Sequence, residues 1–310
     1  NLGLYYMVPH LGEKQIKIML PEEDYQYFRI RGTNHDADWH FFSGYIETIK
    51  SSEIIDESYA SRFFDLENLV QLIFSYIINA TGDFCQGILL KGSSSDSRYF
   101  WYGWDFDHSY VDVPVEITKT ENKSGERWEQ PPSFAGFLED DQARKPHHCL
   151  RVNLFKRLLN EDPEFREKTK HLFTSTLNHR VTREFIAQLL GYYQQILTAI
   201  DYPGGDEYID TLRTFFAERI PFLLNEMEQH YPTDSVVVCE VTSDTYPITV
   251  DGYKKEGPYS GYYFPGSILT VTPGDPDEVR YWLVNGTHTL KQHLALSISS
   301  GQGCRVHGVN

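Results

Sequence analysis

The stretch GDFCQGILLKGSSSDSRYFWYGWDFDHS, residues 82–109, decides how this chain is read. Two short apolar runs, Gly87 to Lys91 and Arg98 to Trp104, flank the turn-forming residues Gly92-Ser93-Ser94-Ser95-Asp96. That pattern predicts a β-hairpin. A hairpin so placed would bring Asp83, Gln86, Asp105 and Asp107 to one end of a sheet. Three carboxylates and an amide oxygen there suit a hard divalent cation, because magnesium takes oxygen ligands and often shares them with substrate phosphates. This is the equipment of phosphoryl transfer, in which one carboxylate accepts the proton of the attacking hydroxyl while others hold the metal. The plainer account is that Asp83 and Asp105 cap turns and that the Asp-x-Asp of 105–107 arises by chance. Spacing alone leaves both open.

Upstream, Leu66, Leu69, Val70, Ile73, Phe74, Ile77 and Ile78 recur at helical spacing behind Asp65, an N-cap candidate. This predicts a buried helix ending at Thr81-Gly82. Further back, Gly3 to Val8, Gln15 to Leu20 and Tyr25 to Ile30 are apolar pieces with polar breaks, expected to form a small antiparallel sheet. Arg29 and Arg31 fall on alternate positions of the last piece, facing one way. They either reach a phosphate or make surface ion pairs. Trp39 to Ile46 reads as a short helix, and the His35-Asp36-Ala37-Asp38-Trp39-His40 run as its polar start rather than a metal site.

Downstream, residues 112–148 are rich in Pro, Lys, Glu and Gln and read as a long excursion loop. Three helical patterns follow. Leu150 to Leu159 marks the first, with Asp162-Pro163 starting its continuation. Val181 to Ile200 marks the second, and Ile209 to Met227 the third, with Pro221 as a candidate kink. From Tyr231-Pro232-Thr233-Asp234 the period changes to two. Short strands are expected at Val236 to Val238, Ile248 to Val250, Tyr262 to Phe264, Ile268 to Val271, Tyr281 to Val284 and Leu294 to Ile298. The expectation is a small all-β sandwich over 233–310.

The chain has 310 residues and a formal net charge of −16. An acidic surplus excludes a nucleic-acid partner of the usual kind, which needs basic groups to neutralise phosphates. No apolar run approaches a membrane span. The sequence starts already inside a strand pattern, and the expectation from that is a processed or truncated chain. Cys85, Cys149, Cys239 and Cys304 include no Cys-x-x-Cys and no zinc spacing. The even count and one pair per half favour two disulfides, Cys239 with Cys304 and, less strongly, Cys85 with Cys149. The alternative is four buried thiols. Three Asn-x-Ser/Thr sequons, at Asn79, Asn122 and Asn285, fit a secreted glycoprotein.

Helix, Gly-x-Asp, paired strands and Trp104-Asp105-Phe106-Asp107, taken together, resemble the core of the spore coat protein H (CotH) kinase-like family. Leu2-Gly3-Leu4-Tyr5 is similar to that family's first strand motif. Asn153 to Leu159, followed by Asp162-Pro163-Glu164-Phe165-Arg166, is similar to its Arg-Leu-Leu…Pro-x-Phe-Arg stretch. Gly261-Tyr262-Tyr263-Phe264-Pro265-Gly266 and Trp282-Leu283-Val284-Asn285-Gly286 resemble a β module often found behind the domain. The resemblance implies an atypical protein-kinase-like α+β domain over 1–232, with an N-terminal lobe that reads as incomplete. It implies Asp83 as the catalytic acid, Gln86 near the family's metal-binding Asn, Asp105 as the metal Asp and Asp107 as a second acid beside it. Mg2+ and ATP are the implied cofactors, with Arg29, Arg31 and Gln86 as candidate nucleotide contacts. The implied activity is transfer of the ATP γ-phosphate to Ser or Thr of an extracellular or surface protein. Phe84-Cys85-Gln86-Gly87 departs from the family's Asn-rich run. On that departure and on the incomplete N-terminal lobe rests the rival reading, an inactive scaffold or surface-adhesion protein bound to a coat or surface partner. A third reading takes Trp282 and Tyr259 to Phe264 as a carbohydrate platform.

Overall fold

A computed structural model describes residues 25–30, 54–80, 87–92, 98–103, 150–230, 235–275, 277, 279–290, 293–300 and 303–310. The first and second strand pieces, the 39–46 helix and the 112–148 loop of the sequence reading lie outside them. The fold is mixed helix and sheet. It divides into two compact units, Asn1–Arg166 and Glu167–Asn310.

In the first unit, strands β1 (Tyr25–Ile30), β2 (Gly87–Gly92) and β3 (Tyr99–Gly103) form an antiparallel sheet in the order β1-β2-β3. The expected hairpin is therefore present as β2 and β3. The piece at 25–30 pairs with β2, from Tyr25 opposite Gly92 to Ile30 opposite Gly87. Helix α1 (Glu57–Ala60) is a single turn, and α2 (Leu66–Asn79) is the predicted buried helix. The Asp65 side chain accepts from the Asn68 N–H at 3.0 Å, satisfying one of the donors that every helix start leaves free. The helix stops at Ala80, whose positive φ of 48° ends the α2 pattern. The face carrying Leu69, Ile73, Phe74 and Ile77 is fully buried, and α2 packs on both β3 and α3 (Leu150–Glu161).

Where the sequence suggested one helix with a continuation, the structure breaks it in two. Asp162 separates α3 from α4 (Pro163–His179), because its Oδ1 accepts the Phe165 N–H at 3.0 Å and Pro163 fits the first helical position, where no N–H is needed. The division between the two compact units falls inside α4.

The second unit continues with α5 (Arg183–Ala199), capped by the Thr182 hydroxyl, and α6 (Gly205–His230), which runs on through Pro221. Two sheets follow. One has five strands in the order β10-β9-β12-β4-β7, the other four in the order β11-β8-β5-β6. Their strands are β4 (Val237–Ser243), β5 (Ile248–Val250), β6 (Tyr253–Lys255), β7 (Tyr259–Tyr263), β8 (Ile268–Pro273), β9 (Tyr281–Val284), β10 (Thr287–Thr289), β11 (Leu294–Ser297) and β12 (Cys304–Val309). Alternate residues of both sheets, including Val241, Val250, Val271, Trp282 and Val306, share one apolar core. Three strands, β6, β10 and β12, go beyond the sequence reading. The first two close two-residue hairpins at Asp251-Gly252 and Asn285-Gly286, with φ of 50° and 83° and of 49° and 81°. Both loops have the positive φ pair that suits tight antiparallel turns.

Candidate functional site

The hairpin register pairs Gly87 with Gly103, and β1 pairs Ile30 with Gly87. Ile30, Gly87 and Gly103 thus form one row across the end of the sheet. The next residue along the chain from each is Arg31, Gln86 and Trp104. Arg29 lies within β1 opposite Ile88. Asp83, Gln86, Arg31, Asp105 and Asp107 themselves fall outside the described residues, as do Cys85, Cys149, His35 to His40 and His147-His148. What the structure adds is their point of attachment.

The sheet is held along the outer edge of β3, starting from the end opposite Gly103. Tyr99 N–H donates to the Phe63 carbonyl at 2.7 Å, and Asp65 N–H donates to the Tyr99 carbonyl at 2.9 Å. Asn68 then extends the ladder with its side chain. Its Oδ1 accepts the Trp101 N–H at 2.6 Å and its Nδ2 donates to the Trp101 carbonyl at 3.0 Å. One amide satisfies both outward backbone groups of a residue on the sheet's outer strand, groups that cost free energy when left unpaired. Trp101 is buried and stacks on Phe64 with centroids 5.7 Å apart. The aromatic run around it splits by face: Trp101 points into the core, while Phe100 is exposed.

The Arg-Leu-Leu…Pro-x-Phe-Arg stretch turns out to be a brace. Arg157 grips Glu161 through Nε at 2.7 Å and Nη2 at 2.8 Å, a two-point contact of the strong, directional kind. Glu161 Oε2 also accepts the Ile55 N–H at 2.8 Å, and Asp162 Oδ2 accepts the Glu57 N–H at 2.8 Å. Arg166 reaches back, donating from Nε to the Leu159 carbonyl at 2.6 Å and from Nη2 to the Asn160 carbonyl at 3.0 Å. Those are among the carbonyls a helix end leaves without partners. Phe165 packs edge-on against Phe155. These polar residues pin residues 55–57 to the α3–α4 junction.

In the second unit the carbohydrate platform is overturned. Trp282 and Phe264 are fully buried, and Tyr259 and Tyr263 nearly so. Tyr259, Tyr263 and Trp282 belong to the core shared by the two sheets and Phe264 lies under Lys170, so none of these faces is free for a sugar. Two glycines fit the same packing. A Cβ on Gly261 would lie 2.0 Å from the Tyr259 hydroxyl, and one on Gly308 would meet the Trp282 ring at 2.8 Å.

A polar cluster that sequence reading missed sits beside that core. Tyr263 donates its hydroxyl to Asp251 Oδ2 at 2.5 Å. Since that proton is committed, the Tyr259 hydroxyl 2.8 Å away is the donor to Tyr263. Asp251 Oδ1 accepts the Thr270 N–H at 2.8 Å. His179, buried at the end of α4, has Nε2 3.4 Å from Asp251 Oδ2, and its ring stacks on Tyr253 at 4.2 Å. Burial alone would push the Asp251 carboxyl up. His179, Thr270 and Tyr263 outweigh it and hold the group below the ordinary carboxylate value. Burial drives the Tyr263 hydroxyl the other way, well above the usual phenol. With every Asp251 oxygen engaged by the fold, the cluster is cross-bracing between α4, the β5–β6 turn, β7 and β8. Its sequence signal was Asp251-Gly252, a hairpin turn whose first residue is a carboxylate.

Cys239 and Cys304 are free thiols, not the disulfide expected from the sequence, yet they are direct register partners on β4 and β12. Among the described residues no three His, Cys, Asp or Glu side chains are grouped to hold a metal, and no helix is long and apolar enough to cross a membrane.

No curated protein and no solved structure matches the chain. The model of the CotH kinase protein family matches residues 13–225, a span that takes in β1, α2, the β2–β3 hairpin and the brace, and leaves out the strands from Val237 onward. Covering more than half of the 310 residues, that match shows that the chain belongs to the CotH kinase family.

Proposed function

We propose that this chain is an atypical secreted protein kinase that transfers the ATP γ-phosphate to Ser or Thr of an extracellular or surface protein. The observation that carries the reading is the row Ile30, Gly87, Gly103 in a family member: Gln86 and Trp104-Asp105 continue the chain from one end of one sheet, and Arg31 continues it from the neighbouring strand. Asp83 would accept the proton of the attacking hydroxyl. Asp105, Asp107 and Gln86 offer only oxygen donors, the set magnesium prefers, with Arg29 and Arg31 for phosphate. When bound, the ion would supply the charge neutralisation on which phosphoryl transfer depends. The two sheets around one core we read as a sandwich module behind the kinase-like domain. Release outside the cell is supported by the sequons at Asn79, Asn122 and Asn285.

Calorimetry with ATP and magnesium, alongside transfer of labelled phosphate to casein or to the chain itself, tests the reading. Wild type is expected to show magnesium-dependent nucleotide heat. Asp105→Ala should abolish that heat and the transfer. Asp83→Ala should keep the heat and lose about 10²–10⁴-fold in turnover, the usual cost of a missing positioned acid or base. Absence of nucleotide heat in wild type would instead establish the inactive scaffold.

A further inference from the structure

We propose that Cys239 and Cys304 are the two halves of a structural disulfide that locks β12 to β4 when the chain meets an oxidising compartment. This does not depend on the kinase reading. The two strands run parallel with Cys304 opposite Cys239, Arg305 opposite Glu240 and Val306 opposite Val241. The register is pinned on both faces. Val241 and Val306 lie in the core, while on the outer face Arg305 Nε meets Glu240 Oε2 at 3.1 Å. A slip of one residue would turn that charged pair inward. Both cysteines therefore face the same core, side by side on adjacent strands. Strands so paired are about 4.8 Å apart, within the Cα separation of about 4.4–6.8 Å that a disulfide spans.

The chemistry has a direction. As direct register partners the two thiols feel each other, which holds the Cys304 thiol below the ordinary value and pushes the Cys239 thiol above it. Cys304 is also the less buried, at 7% against 0%. It is thus the first nucleophile. Its thiolate attacks a low-molecular-weight disulfide such as oxidised glutathione, releasing one glutathione thiolate and forming a mixed disulfide. Cys239 then loses its proton, attacks the Cys304 sulfur and expels the second glutathione thiolate. Two protein thiols are oxidised, one glutathione disulfide is reduced, and two protons leave.

The bond would close a loop from residue 239 to 304 and join the first strand of its sheet to the last, so the oxidised chain should melt higher by on the order of 10 °C. The test uses the purified full chain, reduced and then incubated with oxidised glutathione, once in native buffer and once in urea sufficient to open strands. Free thiols are alkylated and the peptides mapped. Expected is a linked Cys239–Cys304 peptide and a melting temperature that falls on adding reductant. Cys304→Ala should lose the reductant-sensitive shift. A Cys85→Ser, Cys149→Ser double variant should keep it. Alkylation of both Cys239 and Cys304 in both arms, or linkage of either to Cys85 or Cys149, would overturn the proposal.

Discussion

Asn68 and Asn178 do the same job at the edges of two different sheets, and their surroundings separate the two halves of the molecule. Asn68 plugs the outward N–H and carbonyl of Trp101 on β3. Asn178 plugs those of Tyr262 on β7, accepting the N–H at 2.7 Å and donating to the carbonyl at 2.8 Å. Among the described residues each amide takes the place of a neighbour strand and blunts an edge that would otherwise recruit another chain. The difference lies in the residues beside the plug. Next to Asn178 comes His179, which joins the Asp251 network. There each carboxylate oxygen has a partner inside the fold. Two residues beyond Trp101, β3 ends at Gly103 and hands over to Trp104-Asp105. The same anchoring chemistry thus serves a cluster in which both carboxylate oxygens of Asp251 are engaged and a strand from which the chain runs on to Trp104-Asp105.

The largest test of that contrast removes each plug. Asn68→Ala and Asn178→Ala should each cost about 2–3 kcal/mol, because each leaves a backbone donor and acceptor unpaired; denaturant melts of the full chain measure this. In the fraction that stays folded, Asn68→Ala should also lower phosphate transfer, and Asn178→Ala should leave it unchanged. Equal effects on transfer would erase the distinction.

A smaller effect comes from pH. Asp251 is held below its ordinary value in the folded chain. Its contribution is therefore present above the unfolded carboxylate value of about 3.9 and is lost as pH falls through the folded one. The stability gap between wild type and Asp251→Asn should shrink between pH 7 and pH 3. For Asn68→Ala, which removes no charge, the gap should stay level over the same range. A gap for Asp251→Asn that holds constant to pH 3 would show that the carboxylate is not what braces the cluster.

The smallest effect belongs to Glu240→Ala. Its partner Arg305 is largely exposed, and exposed pairs contribute about 0.2–1 kcal/mol. A loss well above that, seen in the same melts, would mean that the outer face of β4 and β12 fixes the register more strongly than the core does.

Sequence reading reached the parts encoded locally. Leu69, Ile73 and Ile77 with Asp65 announced α2, and the Gly-Ser turn announced the hairpin. Asp162-Pro163 carried enough signal for a new helix start, yet the apolar period on either side hid the break. β12 went unread because Cys304, Val306 and Gly308 alternate only briefly, and because its partners β4 and β9 were set by pairing across the chain. The roles of Asn68 and Asn178 had no local trace at all, since their partners lie 33 and 84 residues away. Trp282 and Tyr259 to Phe264 were misread as a possible platform because an aromatic run carries no mark of which side it faces until the second sheet is in place. The catalytic candidates were legible only as spacing, and the structure reaches them only as far as Gly87 and Gly103.

The placement of β12 between β9 and β4 also says something about how the chain is made. β4 and β9 both precede Cys304 to Val309 in the chain, so until that last strand is in place the sheet lacks its middle rung. Until that rung arrives, two strand borders are open to pairing with other nascent chains, the condition in which long-range β-structures aggregate. A chain cut just before residue 304 would keep β4 and β9 but not the strand that joins them, a natural client for chaperones.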